Sequence, residues 1–363
     1  MPDRPTLHPV SRRHLAVLSD RTGILQHAIG SWPDPHHGHC VDDIARALQV
    51  DLLHQHELGW DAVEVSARRA MRFLTEAFDH GSGRFRNFRS IAGAWIGGVG
   101  SDDCQGRAVL ALGEAMAAAP DSGLRDAATE LLEQALPAAL ELGSPRAQAS
   151  VLLACAAVPD GASDRATAAL QPLASGLNGR FVRFGSSAWP WPEQSLTYEN
   201  ALLPRALIVA GHRLGDEMMT RTGLVALDWL IDAQTSADGH FSPIGNGWWT
   251  RGGVRSQFDQ QPIEATATIL AAAAALEATG ETRYGTTMEQ AFAWFLGAND
   301  RDLPLADPER GASRDGLTPR GVNTNEGAES TLMWLMAAEH MRAYRDDRPR
   351  PGAHAAAALA IVQ

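Results

Sequence analysis

Two doubled carboxylates stand at the head of apolar runs in this chain: Asp42–Asp43 in HCVDDIARAL and Asp102–Asp103 in GSDDCQGRAVLALG. Further on, Glu199 sits in TYENALLPRALIVAG, and Asp259 and Glu264 sit in FDQQPIEA. Paired carboxylates suit cleavage of a glycosidic bond, because one can protonate the leaving oxygen while another activates water. An acid at a helix start is often only a cap or a partner of the helix dipole. One cap needs one carboxylate, so a doublet leaves one over. Glu199 and Glu264 read as lying a residue or so inside apolar helices, where a buried acid needs a reason. Asp43, Asp103, Glu199, Asp259 and Glu264 are therefore the candidate catalytic residues. The sequence does not say which is acid and which is base.

Amides, indoles and further acids gather near these five. Asp42, Asp102, Trp95, Trp189, Trp191, Tyr198, Asn200, His240, Asn246, Trp248, Trp249, Gln260, Gln261, Glu326 and Glu329 are candidate substrate-binding residues. Carboxylates and amides hydrogen-bond vicinal hydroxyls, and indole faces stack on the C–H faces of sugar rings. Of ten Trp, five (Trp95, Trp189, Trp191, Trp248, Trp249) fall in long connections, where large aromatics need a ligand or a packing role. Glu326 and Glu329 also fit a first-turn acid and a capping-box acid. His36, His37 and His39 cluster, but no matching His/Asp set at ligand spacing follows on a helix. The reading is no metal and no cofactor.

Composition closes off other classes. The chain has 363 residues with a formal net charge of −12, from 31 basic and 43 acidic residues. Every basic residue is Arg, so P-loop, Schiff-base and pyridoxal-phosphate lysines are excluded. The acidic balance argues against nucleic acid as a partner. Cys40, Cys104 and Cys155 form no CxxC pair and read as small buried residues. The glycines of GGVG (97–100) and RGG (251–253) read as loop formers. No secretory h-region and no membrane-length apolar stretch is found, so the expectation is a soluble cytoplasmic protein.

Helical periodicity runs almost throughout. Helices are expected over about 9–29, from near 41, over about 61–79, from near 103, over about 122–141, from near 145, over about 163–177, from near 198, over about 216–235, from near 262, over about 283–297 and from near 326. The even-numbered helices are Ala- and Leu-rich and poor in charge beyond their first turn, so they are buried; the odd ones carry a charged face. Six buried helices inside six amphipathic ones make an all-α (α/α)6 barrel, with an open α-solenoid as the competing layout. Long connections (30–41, 80–102, 178–197, 236–261, 298–325) precede even helices, so five loops meet at one end of the barrel, where function is expected. One domain over 1–344 and a C-terminal tail over 345–363 are expected.

HCVDDIARAL, GSDDCQGRAVLALG, WPWPEQSLTYENALLPRALIVAG, GHFSPIGNGWW, FDQQPIEA, AFAWFLGAND and GVNTNEGAESTLMWLMAA together resemble a bacterial family of α/α-barrel carbohydrate-active proteins. Its members are often labelled "glycosyltransferase", and it is similar to the six-hairpin glycosidases. The resemblance covers about Cys40 to Ala338. It implies a sugar-binding cleft containing Asp43, Asp103, Glu199, Asp259 and Glu264. The chain departs from the expected pattern at Glu199, where Asp is expected in the TY-x-N motif; the extra methylene shifts the carboxylate. No Gly-rich helix start in a βαβ unit is present to hold a nucleotide diphosphate. The resulting expectation is an inverting glycoside hydrolase acting on an oligosaccharide or glycoside. A phosphorylase or glycosyltransferase is one alternative, with Arg251, Arg255, His240 and His39 as an anion site. A sugar epimerase or lyase using His240 or Tyr198, or a non-catalytic carbohydrate-binding subunit, is another.

Overall fold

The computed structural model describes residues 7–346 and contains twelve α-helices there. In chain order the first six are α1 (Arg13–Leu18), α2 (Val41–Leu58), α3 (Glu64–Ala77), α4 (Asp102–Ala118), α5 (Ser122–Ala139) and α6 (Pro145–Ala157). The rest are α7 (Asp164–Phe184), α8 (Leu202–Leu214), α9 (Glu217–Ala233), α10 (Pro262–Thr279), α11 (Arg283–Phe295) and α12 (Ala328–Arg345). Each even helix packs on the next, and α12 packs back on α2, so the inner ring closes. Each odd helix from α3 to α11 packs on the inner helix before it, and short α1 packs on α12. The architecture is the (α/α)6 barrel; closure of the ring rules out the open solenoid. The tail expected over 345–363 lies, from 347 onward, outside the described residues.

The ring closes because the inner helices can be buried on every side. In α10 the run PIEATATILAAAAALEAT has no hydrophilic stripe; Pro262 occupies the first turn, and Gly280 ends the helix at φ 71°. On α4, Gly106 and Gly113 face α6. A Cβ on Gly106 would stand 2.8 Å from Ala147 Cα, and one on Gly113 2.7 Å from the Ala154 carbonyl oxygen. Glycine at both positions lets the two backbones approach. Among the described residues no helix is long and apolar enough to cross a membrane.

Three expected boundaries change. The helix expected over 9–29 is only Arg13–Leu18, because the Asp20 side chain accepts from the backbone N–H of Thr22 (2.7 Å) and Gly23 (3.0 Å) and turns the chain. A hairpin of β1 (His27–Ile29) and β2 (Trp32–Asp34) follows. Helix α8 starts at Leu202 instead of near 198, since Glu199 takes φ 47°, which no helix admits. Helix α7 continues to Phe184, beyond the expected 177.

Short hairpins stiffen the long connections. β3 (His39–Cys40), β4 (Phe78–Asp79), β5 (Arg84–Arg89) and β6 (Trp95–Val99) form one sheet, with β5 pairing with all three others. Ser195–Leu196 pairs with Trp249–Thr250, and Gly316–Thr318 with Gly321–Asn323.

Candidate active site

The starts of α2, α4 and α12, the residue before α10, and the segments at 26–27, 88 and 315 enclose a cavity of ≈ 240 Å³. Gln26, His27, Asp42, Asp43, Arg46, Phe88, Arg107, Gln261, Asp315, Glu329 and Ser330 line it, with Cys40 and Gly327. No side chain caps α2, so both carboxylates of its doublet stand free of that task.

Two guanidinium groups organise the carboxylates. Arg46 on α2 reaches Asp43 at 3.0 Å, three residues back on its own helix, and Glu329 of α12 at 2.8 Å. Arg107 on α4 reaches Asp42 at 3.1 Å and Glu199 at 2.9 Å, with Asp103 at 4.0 Å. Burial pulls Asp42 upward, but Arg107 and Arg46 outweigh it and hold the carboxyl below its usual range. Asp43 behaves oppositely. Burial pushes its pKa to about 6; Arg46 only partly offsets this, and the Glu329 charge adds to it. The Cys40 thiol donates to Asp43 Oδ2 at 3.0 Å. Burial also raises Asp315, whose Oδ1 accepts from the Gly327 N–H at 2.9 Å. Burial lowers His27, and the neighbouring His37 adds to that.

Of the expected site residues, Asp42, Asp43, Gln261 and Glu329 line this cleft, and Glu199 and Asp103 join it through Arg107. Ser101, whose Oγ accepts from the Cys104 N–H at 3.2 Å, caps α4, so neither acid of the second doublet does. Asp102 turns away: it accepts from the N–H groups of Gly143 (2.9 Å) and Ser144 (3.1 Å) and from Arg84 (3.0 Å), pinning the turn before α6. Asp103 accepts from the Tyr198 hydroxyl, and from Ser144 at 3.2 Å.

Glu264 is buried in the first turn of α10. Its Oε2 accepts from Asn200 through both the backbone N–H (3.3 Å) and Nδ2 (3.1 Å). Burial lifts its pKa to about 7. Arg146 on α6 grips the same turn, donating to the Tyr198 carbonyl, to Asn200 Oδ1 (3.2 Å) and to Glu193 (2.7 Å). Glu264 thus fixes Asn200, the residue that follows the left-handed Glu199.

The other expectations resolve into packing or lie outside the cleft lining. Trp189 and Trp191 are buried in a cluster with Trp229, and Trp249 stacks on Trp229 at 5.8 Å, because indoles that find one another bury more area than a loop surface offers. Trp95 packs edge-on against Phe73 at 5.3 Å under Arg89. Trp248, Asn246 and Asp259 are exposed on the 245–259 loop; Trp248 (φ 64°) and Asp259 (φ 60°) are left-handed. Gln260 is buried, bridging Trp294 (2.9 Å) and Asp300. Glu326 pairs with Arg310 at 2.9 Å. His240 bonds Ser236 at 2.9 Å and lies 3.4 Å from Asp300. The expected anion-binding groups are engaged elsewhere too: Arg251 on Ser186 (3.0 Å), Arg255 on Ser242, and His39 on Asp20 (3.1 Å). His36 lies on Asp34 at 2.7 Å, pointing to a different carboxylate from His39.

Sequence reasoning missed Gln26, His27, Arg46, Phe88, Arg107 and Ser330, and left Asp315 out of the candidate set. Arg46 and Arg107 had a signal. Each is a lone cation three or four residues after an acid, inside an otherwise apolar inner helix. Gln26 and His27 were hidden in the segment read as helix 9–29. Arg107→Gln removes the cation hydrogen-bonded to both Asp42 and Glu199, and a loss of about 3–5 kcal/mol in urea unfolding is expected; an unchanged midpoint would show that Arg46 and Arg205 compensate for it.

No family model matches the chain, and no curated protein matches it. Solved structures do. A sugar epimerase from a ruminal bacterium superposes with a TM-score of 0.69 at 12% identity, covering 90% of this chain and 94% of the other. Cellobiose 2-epimerase from Bacillus thermoamylovorans gives 0.69 at 14% identity, with 92% and 96% covered. A GH76 α-mannanase from Bacteroides thetaiotaomicron gives 0.59 at 11%, with 85% and 87% covered. What this chain shares with them is the fold: six helical hairpins closed in a ring.

Proposed function

We propose that this protein is a carbohydrate-active enzyme that hydrolyses a glycosidic bond, with Asp43 as general acid and Glu329 as the carboxylate that activates water. The observation that carries the reading is the pair itself: Asp43, held at a pKa of about 6, and Glu329 lie on either side of the Arg46 guanidinium. Because one planar guanidinium contacts both, the two oxygens on it are at most about 8 Å apart, a bound that overlaps both the roughly 6.5–9.5 Å of an inverting pair and the roughly 5–5.5 Å of a retaining one. Solved structures that superpose on this chain include proteins named as sugar epimerases and an α-mannanase, which supports a sugar in the cleft.

Charge favours a neutral glycoside. The cleft carries Asp42, Asp43, Asp315 and Glu329 against Arg46 and Arg107, and each Arg already holds two carboxylates. Among the described residues that line the cleft, both guanidinium groups already face carboxylates, which weakens the phosphorylase and transferase readings.

His27 favours a second reading, sugar epimerisation. Burial lowers its pKa, so the ring is neutral at pH 7 and able to take a proton next to a carbonyl. A proton NMR time course in deuterium oxide, on neutral oligosaccharides with and without phosphate, separates the readings. A new anomeric signal of inverted configuration without phosphate is expected. Deuterium entering the sugar without cleavage would replace hydrolysis by epimerisation, and a signal only with phosphate would make the enzyme a phosphorylase.

A further inference from the structure

We propose that Phe88 is the stacking platform of the sugar subsite beside Asp43, a role the sequence offered to tryptophans of which the fold buries Trp189 and Trp191 elsewhere. The proposal rests on the glycosidase reading and names the residue that selects the sugar's apolar face.

Among the cleft-lining side chains Phe88 is the one aromatic hydrocarbon, and it is 40% exposed. An exposed Phe on the wall of a polar cleft loses apolar burial unless something flat covers it. A pyranose does so with its C–H face while its hydroxyls reach the surrounding carboxylates. The backbone around Phe88 is built to present it. Phe88 pairs with Cys40 on β3, the residue just before α2, so it is registered directly to the Asp42–Asp43 doublet. Asn87 fixes that register, its Oδ1 accepting from the Val41 N–H at 3.2 Å. On the other side the ladder slips between Arg86 and Phe88: Phe88 faces Ile96 while Arg86 faces Val99, which leaves Gly97 and Gly98 opposite Asn87. Gly97 takes φ 78°, as a glycine bulge requires. Bulges beside active sites re-aim side chains. The GGVG glycines that read as loop formers therefore serve the placement of Phe88. Its cross-strand partner Ile96 is 52% exposed and widens the apolar surface.

The test is steady-state kinetics of the full-length protein on the neutral glycoside it turns over, comparing Phe88→Leu and Phe88→Trp with wild type. Phe88→Leu is expected to raise KM about tenfold with kcat within about twofold, and Phe88→Trp to restore KM. Because the side chain is half open to solvent and its pairing is through backbone, the melting temperature should not move. Intermolecular NOEs from the Phe88 ring to sugar C–H protons should accompany binding. An unchanged KM in Phe88→Leu, a loss confined to kcat, or NOEs absent at saturating sugar would each overturn the platform while leaving the hydrolase standing. A wild-type protein that turns over no neutral glycoside would overturn the hydrolase reading, and this inference with it.

Discussion

Asp43→Asn is expected to lower kcat on an alkyl glycoside by about 10²–10⁴, the range that removal of a general acid produces. The amide keeps the shape of the carboxyl, so the Arg46–Glu329 pair should survive and circular dichroism should match wild type. The pH profile carries the sign. A general acid works protonated, and Asp43 holds its proton below a pKa of about 6 because burial opposes its charge. Wild-type activity should therefore fall as pH rises through about 6, and the residual activity of Asp43→Asn should lose that limb. A substrate with a good phenolic leaving group needs no protonation, so the variant should turn it over at close to the wild-type rate. An equal loss on both substrates would move the acid elsewhere and leave Asp43 with a positioning role toward Arg46.

The ring of helices was legible because inner helices cannot hide their composition. A stretch such as that of α10, apolar on every side, has no place on a surface. The doubled acids were legible for a related reason: Asp42 and Asp43 exceed what a helix start can use. Partners were harder to read. Arg107 sits on the same helix as Asp103 but pairs with Asp42 of α2 and Glu199 of the turn before α8, and such crossings follow from ring geometry that no local spacing encodes. Tryptophans in long connections needed either a ligand or a packing role, and local spacing does not choose between the two. The loops of Trp189 and Trp249 fold onto α9, where Trp229 waits. Glu199 misled because helical periodicity carries through TYENALLP, and only the tertiary pull of Arg107 and the grip of Arg146 on the adjoining backbone favour the left-handed turn.

Glu264→Gln should flatten the pH dependence of stability. Glu264 is buried, with one oxygen served twice by Asn200 and the other, Oε1, without a hydrogen-bond partner among the described residues. Its pKa in the folded protein is about 7 against a usual 4.5, so below pH 4.5 it is protonated in both folded and unfolded chains. As pH rises the unfolded chain releases this proton first, and stability present at low pH is lost up to the folded value of about 7. The loss is about 3 kcal/mol at pH 8, from 1.36 kcal/mol for each step of pKa. Urea unfolding at pH 5 and pH 8 reads it directly. Wild type should weaken between the two, while Glu264→Gln should weaken less, level off above pH 6 and exceed wild type at pH 8. Asp43, at about 6, pulls the same way over a lower window, so some decline should persist in Glu264→Gln between pH 4 and 6. A variant that weakens above pH 6 as steeply as wild type would place the ionisation on another group. Glu264 would then be a carboxylate already charged in the fold, stabilised by the two N–H donors of Asn200 and by Arg146.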